Sequence, residues 1–136
     1  MSHFDFEMRV AYADTDRMGV VYYANYLALF ERGRTEFMRS LGLRYRDLEE
    51  KQRLFMPAME SHVQYFAPAR YDEMIRIRTF LSELGAAHLV FGSEIYDENN
   101  KLIAKGWVKL AVVNLLWRPT RLPQDLRALL EKNLTK

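Results

Sequence analysis

Apolar and polar residues alternate near the start of the chain. Phe4, Phe6, Met8, Val10 and Tyr12 are separated by Asp5, Glu7, Arg9 and Ala11. A period of two residues is typical of a β-strand with one buried face, so the pattern predicts a strand at residues 4–12. Residues 14–19, with the sequence DTDRMG, have the composition of a loop.

The spacing becomes helical at residues 22–41. Apolar side chains recur there every three or four residues, at Tyr23, Tyr26, Leu27, Phe30, Phe37, Met38 and Leu41. Such spacing predicts one long helix, and Gly42 stands where helices commonly end. Arg34 interrupts the apolar stripe. A shorter helix is predicted at residues 45–52.

Strand patterns fill most of the chain between residues 60 and 117. They predict strands at residues 62–66, 74–84, 89–96 and 102–117, with turns at residues 85–87 and 97–100. The last strand is long, and Gly106 is a natural place in it for a bulge or bend. Pro119 and Pro123 end it, and a leucine repeat predicts a short amphipathic helix at the C-terminal end.

The order of elements indicates the fold class. Short turns between the last strands favour an antiparallel sheet. The long helix has a broad aromatic stripe and no other element large enough to cover it. We therefore predict an α+β protein in which a curled antiparallel sheet wraps around one long helix.

Composition narrows the function classes. With 136 residues, 49% of them hydrophobic, the chain suits one globular domain over residues 1–136. Its net charge of +2 argues against a nucleic-acid groove. The absence of cysteine excludes disulfides, thiolate nucleophiles, iron–sulfur clusters and cysteine-bound zinc. Without a signal-peptide pattern or a long apolar run, we expect a cytoplasmic protein that does not insert into membranes.

The candidate chemistry lies at residues 14–26. Asp14 and Asp16 precede Gly19 and the start of the long helix. Free N–H groups at a helix start stabilise developing negative charge, and a nearby carboxylate can attack a carbonyl or activate water. The alternative interpretation is that both aspartates cap turns and Asn25 caps the helix. His3, His62 and His88 are too isolated to suggest metal ligands.

A long motif at this point resembles a known family. Residues 12–27, with the sequence YADTDRMGVVYYANYL, are similar to the 4-hydroxybenzoyl-CoA thioesterase family, in particular its Tol-Pal-associated acyl-CoA thioesterase branch. The resemblance continues at residues 30–36, 65–72, 83–85 and 121–123. It implies the hotdog fold and the hydrolysis of an acyl-CoA to a carboxylic acid and free CoA, with no metal or redox cofactor.

The resemblance also implies roles for single residues. Asp16 matches the catalytic carboxylate, as nucleophile or general base, and Tyr23 matches the position whose backbone N–H polarises the thioester carbonyl. Gly19 lets the loop approach the substrate, while Asp14 and Asn25 match positions that shape the site. Many members of the branch have histidine at the position of Tyr23, so only the backbone role carries over.

The partners that the resemblance implies are acyl-CoA and further copies of the chain. Residues 82–87 lack the basic side chains with which some relatives hold the CoA phosphates. Arg121, Arg118 and Lys105 are the candidates for that task, and we take Arg121 as the substrate-binding one. Family members place the site between two subunits, and the 18 aromatic residues exceed what one small core hides. A homodimer or homotetramer is expected.

Two other functions stay open from the sequence. One is an acyl-CoA hydratase, although such chemistry usually needs a histidine paired with a carboxylate, and no histidine lies in the loop or helix start. The other is a non-catalytic hotdog protein that binds acyl carriers or acts as a scaffold.

Overall fold

The computed structural model describes residues 3–135. The strands are β1 (Phe4–Arg9), β2 (Ala58–Tyr65), β3 (Met74–Leu84), β4 (His88–Tyr96) and β5 (Leu102–Ala111). The helices are α1 (Tyr26–Ser40), α2 (Tyr45–Lys51) and α3 (Gln124–Lys132), with 3₁₀ turns at Tyr12–Asp14 and Tyr23–Asn25. Strand, helix, four strands and helix follow each other as predicted.

The five strands form one antiparallel sheet in the order β1-β3-β4-β5-β2. Strands β1 and β2 are therefore its two edges. The pairing aligns Phe6 with Ile77, Ile77 with Ile95 and Ile95 with Ala104, which places one row of apolar side chains on the inner face. The α+β class and the curled antiparallel sheet around a long helix are confirmed.

Helix α1 packs on the inner face of the sheet, mainly against β1 and β3. Phe30 and Met38 are fully buried, and the Phe37 ring meets the Phe91 ring edge-on with centroids 5.8 Å apart. Gly33 allows the close approach, because a Cβ there would lie 2.6 Å from both Ile77 Cγ2 and Thr79 Oγ1. Helix α1 contacts β2 and β4 less, whereas Ala104, Val108 and Leu110 of β5 are buried.

The start and the end of the long helix differ in how well the sequence predicted them. The predicted helix at residues 22–41 is divided into the 3₁₀ turn Tyr23–Asn25 and α1. Its end at Gly42 is confirmed, since Gly42 has φ +83° and the Leu43 N–H donates to the Met38 carbonyl oxygen at 3.0 Å. The Asn25 side chain makes no capping hydrogen bond to α1, so the part of the alternative interpretation in which Asn25 caps the helix is wrong. Asp14 and Asp16 do accept backbone hydrogen bonds within their turn.

The prediction for the last strand was wrong in two respects. Strand β5 ends at Ala111, and the chain then turns back so that Val113 pairs with Pro119. Pairing with β2 and β4 also runs through Gly106 without a bulge. A Cβ on Gly106 would lie 2.0 Å from the His62 carbonyl oxygen. The glycine therefore serves the close approach of two strands.

Residues 3–135 contain neither a helix suited to crossing a membrane nor a cluster of metal-binding side chains. No helix there combines the length and the apolar character that crossing a bilayer requires. The same residues contain no group of three His, Asp or Glu side chains placed to hold a metal ion.

Candidate active site

The loop that carries Asp16 is a tight, hydrogen-bonded turn. The Asp16 N–H donates to the Val20 carbonyl oxygen at 2.9 Å, and the Gly19 N–H donates to the Asp16 carbonyl oxygen at 3.0 Å. The Met18 N–H donates to Asp16 Oδ1 at 2.8 Å. Gly19 has φ +79°, a conformation that favours glycine. The turn thus fixes the carboxylate through Oδ1 only.

Asp14 and Asn25 connect this loop to the start of the helix. Asp14 Oδ2 accepts a hydrogen bond from the Ala11 N–H at 2.9 Å. The Asp14 carbonyl oxygen accepts one from the Tyr22 N–H and another from Asn25 Nδ2, both at 3.0 Å. These bonds hold the carboxylate loop at the helix N-terminus.

A cleft of about 450 Å³ opens between the loop and the helix start. Its lining comprises Asp16, Met18, Val20, Val21, Tyr22, Tyr23, Tyr26, Tyr65, Ala67 and Pro68. The structure therefore brings Asp16 and Tyr23 together. Gly19 lies in the adjoining turn, and neither Asn25 nor Arg121 lines the cleft. The lining contains one carboxylate and no lysine or arginine.

The helix start lies at the cleft and begins with backbone donors that have no partner within the helix. Tyr23 and Ala24 begin the 3₁₀ turn, where N–H groups have no acceptor within the helix. The Tyr65 hydroxyl donates to the Tyr23 carbonyl oxygen at 3.0 Å. The Tyr65 ring also meets the buried Tyr26 ring edge-on at 5.2 Å. Strand β2 thereby supports the helix start.

Two tyrosines of the cleft, Tyr22 and Tyr26, have pKa values raised above the ordinary value. The adjacent Tyr23 hydroxyl, and more weakly the Asp16 carboxylate, raise the pKa of Tyr22. Burial is the main cause that raises the pKa of Tyr26. Asp16 is the one carboxylic acid among the tyrosines and apolar residues of the lining. Sequence reasoning missed Tyr22 and Tyr65 as cleft residues, although Tyr65 begins the motif at residues 65–72.

The remaining candidates lie elsewhere. His62 stacks on Trp107 at 6.0 Å, and His88 pairs with Glu83 at 2.5 Å on the β3–β4 hairpin. Neither histidine lines the cleft, as expected for ordinary packed or surface residues. Lys105 lies over the Phe66 ring at 5.8 Å. A cavity of about 480 Å³ on the outer face of the sheet is lined by the carboxylates of Glu60 and Glu83, but no helix begins at it.

Two solved structures with the same architecture are described as thioesterases. A "DHNA-CoA Thioesterase" from Staphylococcus aureus superposes with a TM-score of 0.91 at 29% identity, covering 97% of this chain and 91% of that chain. A "Probable Thioesterase" from Bartonella henselae gives a TM-score of 0.85 at 34% identity, covering 90% of this chain and 100% of that chain. The fold and the cleft thus define a hotdog-fold thioesterase.

The sequence comparisons identify the family. The chain belongs to the thioesterase-like superfamily, whose sequence profile matches residues 10–130. It is 36% identical over 126 residues to the "Acyl-CoA thioesterase YbgC" of Haemophilus influenzae, covering 92% of each protein. It is 37% identical over 99 residues to the "Putative acyl-CoA thioesterase YneP" of Bacillus subtilis, covering 73% of this chain and 71% of that protein.

Proposed function

We propose that this cleft hydrolyses acyl-CoA thioesters, with Asp16 as the catalytic carboxylate and the Tyr23 N–H as the donor to the thioester carbonyl. The observation that carries the proposal is that Asp16 and the helix start line one cleft. Acyl-CoA hydrolase activity is the function of the relatives that match this chain over most of its length. The products are a carboxylic acid and free CoA.

The geometry suits charge development on the carbonyl oxygen. When a nucleophile adds to the thioester carbon, the oxygen becomes negative, and the N–H groups at the helix start stabilise it. Asp16 either adds directly, which gives an acyl-carboxylate anhydride that water then cleaves, or takes a proton from the attacking water. In both routes CoA leaves as the thiol after a proton transfer.

The rest of the cleft suits the acyl end of the substrate. Val20, Val21, Tyr26 and Pro68 form an apolar wall, which favours a hydrocarbon or aromatic acyl group. Asn25 acts by holding the loop, and Gly19 by allowing its turn. The Tol-Pal-associated branch and a 4-hydroxybenzoyl substrate rest on the motif resemblance alone.

We also propose that the working unit is at least a homodimer formed through β2. All residues of this edge strand except Val63 are exposed. As an edge strand, β2 has backbone groups without a strand partner on one side, and its Met59 side chain is exposed. A second copy that pairs with β2 satisfies both, and a tetramer is an extension of that dimer. A cytoplasmic location remains a prediction.

A hydrolysis screen tests the function directly. Purified protein is given a panel of aliphatic and aromatic acyl-CoAs, and the released thiol is measured with a thiol reagent. The chain contains no cysteine, so the signal comes from CoA alone. We expect turnover of at least one acyl-CoA class and its loss in Asp16→Asn. Tight binding without turnover for the whole panel contradicts the proposal and indicates a binding or scaffold protein.

A further inference from the structure

A short hairpin follows β5 and turns back at residues 115–117. The Asn114 N–H donates to the Arg118 carbonyl oxygen at 3.0 Å, and Val113 pairs with Pro119 one step further from the turn. Within the turn, Asn114 Oδ1 accepts two backbone N–H groups at 2.9 and 3.2 Å. The end of the hairpin is therefore fixed by its own hydrogen bonds.

This turn presents three consecutive large apolar side chains to solvent. Leu115, Leu116 and Trp117, which we call the Leu-Trp tip, are 50%, 72% and 66% exposed. The Trp117 ring stacks on Phe55 with centroids 6.4 Å apart, so its orientation is set by a neighbouring segment. An ordered apolar patch of this kind is typical of a surface that contacts another molecule.

The Leu-Trp tip lies in a basic part of the chain. Arg118 adjoins the tip, Arg121 follows it on the same hairpin, and Arg53 lies two residues before the aromatic ring that stacks on the tip. All three arginines are exposed. Residues 51–59 and 101–124, which pack together at the tip, contain no aspartate or glutamate. The apolar side chains are therefore accompanied by positive charge that no carboxylate of these two segments neutralises.

The size and the charge of this surface favour a lipid bilayer over a protein partner. A stable protein interface buries about 800 Å² on each partner, which is more than three side chains provide. A bilayer surface needs only a few apolar side chains that enter the boundary between headgroups and acyl chains, where tryptophan is enriched. Basic residues beside them are attracted to the phosphates of anionic lipids. The combination of Leu, Trp and Arg at one turn matches that environment.

We infer that the Leu-Trp tip is a peripheral contact for an anionic phospholipid surface. The three apolar side chains enter the headgroup boundary, and Arg53, Arg118 and Arg121 interact with lipid phosphates. A contact of this kind is reversible and takes no segment across the bilayer. It does not depend on the proposed function, because neither Asp16 nor a thioester takes part in it.

Vesicle binding with a fluorescence reporter tests the contact. The chain has two tryptophans, Trp107 and Trp117, so Trp107→Phe leaves the tip as the only indole signal. Vesicles that contain phosphatidylglycerol should shift its emission to shorter wavelength and should carry the protein into the pellet on centrifugation. Vesicles of phosphatidylcholine alone, or added salt, should weaken both signals, because salt screens the charge attraction. No binding of wild-type protein to the anionic vesicles overturns the inference.

Leu116→Asp shows whether the tip itself makes the contact. It should weaken vesicle binding roughly 10-fold or more, the effect of withdrawing one leucine side chain from an apolar environment. Tyr12→Asp is the matched control, because Tyr12 is 79% exposed outside the hairpin and the change of charge is the same. Arg118→Gln should weaken binding about 5-fold, the effect of one basic residue at an anionic surface. Equal losses in Leu116→Asp and Tyr12→Asp overturn the inference.

Melting temperatures accompany these measurements. The substituted side chains are exposed, so the fold should persist, and Leu116→Ser replaces Leu116→Asp if the melting temperature of the latter falls.

Other occupants of the tip give different results. If a second copy covers it, light scattering shows that Leu116→Asp dissociates the assembly, while the wild type does not bind anionic vesicles. If the tip serves the substrate, Leu116→Asp lowers acyl-CoA turnover, again without vesicle binding by the wild type. Either result overturns the inference. Absence of hydrolysis in the wild type contradicts only the proposed function, because vesicle binding is measured without turnover.

Discussion

The Tyr65 hydroxyl donates a hydrogen bond to the Tyr23 carbonyl oxygen at 3.0 Å, which joins the edge strand β2 to the first turn of the helix. The two residues are 42 positions apart in sequence. Their rings also meet edge-on at 6.5 Å. The contact orients the peptide groups of the helix start, so the strand that we propose as the dimer edge also supports the proposed site.

Tyr65→Phe tests this support. The substitution keeps the ring and removes one partly exposed hydrogen bond, which contributes about 0.5–1.5 kcal/mol. We expect the turnover number to fall roughly 2- to 10-fold, which is the change in rate that corresponds to this hydrogen-bond energy. The melting temperature should change little. The comparison is Tyr71→Phe, an exposed tyrosine outside the cleft lining. Equal turnover in both variants contradicts a supporting role.

Most of the fold was predictable because a helix or strand with one buried face has apolar residues at regular intervals in the sequence. The alternation from Phe4 onward and the helical stripe of α1 both reflect one face packed on one core. The features of the fold that the sequence did not predict depend on contacts between neighbouring elements. Val112 and Val113 continue the apolar pattern of β5, yet the chain turns back there. The function of Gly106 depends on the His62 carbonyl of an adjacent strand.

The site was predictable only in its local part. Asp16 and Tyr23 lie within eight residues in a recognisable motif, and the structure places both in one cleft. Tyr65 lies at the cleft because β2 pairs within the sheet. The spacing of residues along the sequence does not reveal that pairing. The predicted substrate-binding residue Arg121 lies outside the cleft of its own chain, and its role remains a prediction that depends on how copies assemble.

Gly33→Ala is expected to destabilise the fold. In an isolated helix this change stabilises by about 1 kcal/mol. Here the new Cβ would lie 2.6 Å from atoms of Ile77 and Thr79, and such overpacking costs about 1–3 kcal/mol. Urea unfolding should therefore show a lower free energy of unfolding. A stabilised variant contradicts the close contact between helix and sheet.

Asp5→Asn should weaken the protein in a pH-dependent way. Arg78 Nε and Nη2 donate to the Asp5 carboxylate at 2.8 and 3.0 Å, and this hydrogen bonding lowers the pKa of Asp5 below 3.8. The pair is partly exposed, so we expect a loss of about 0.5–1 kcal/mol at pH 7. The charged form is the stabilised one. The contribution is therefore complete above pH 3.8 and is lost as the pH falls through the lower pKa of the folded state.

Unfolding of wild type and Asp5→Asn between pH 2 and 7 provides the measurement. The two free energies of unfolding should converge at the acid end. A difference that persists unchanged there contradicts the ionic origin of the effect.

Gly19 is expected to matter through its backbone. A Cβ at this position would meet no atom within 4 Å, whereas φ is +79°. Gly19→Ala should therefore strain the turn by about 1–2 kcal/mol and lower the turnover number. Gly19→Asn should restore much of the turnover, because asparagine tolerates this conformation. Equal loss in both variants with unchanged melting temperatures indicates instead that a side chain here obstructs the substrate.

Asp16→Asn is the decisive test of the proposed chemistry. The amide keeps an oxygen that can accept the Met18 N–H, which now donates to Asp16 Oδ1 at 2.8 Å, so the turn should persist. It removes the basic, nucleophilic oxygen. Turnover should fall by roughly 10²–10⁴-fold, the range for a positioned acid–base group. Acyl-CoA affinity should change little, because the thioester is neutral.

Asp14→Asn is the matched control for this test. Asp14 Oδ2 accepts the Ala11 N–H at 2.9 Å, and an amide oxygen can do the same, so the loop should remain ordered and turnover should fall only slightly. Turnover number, acyl-CoA affinity and melting temperature are measured for both variants. Near-normal turnover in Asp16→Asn contradicts the mechanism. Parallel losses of stability and activity in both variants mean that the two aspartates serve the turn, because a catalytic carboxylate would lose turnover without losing stability.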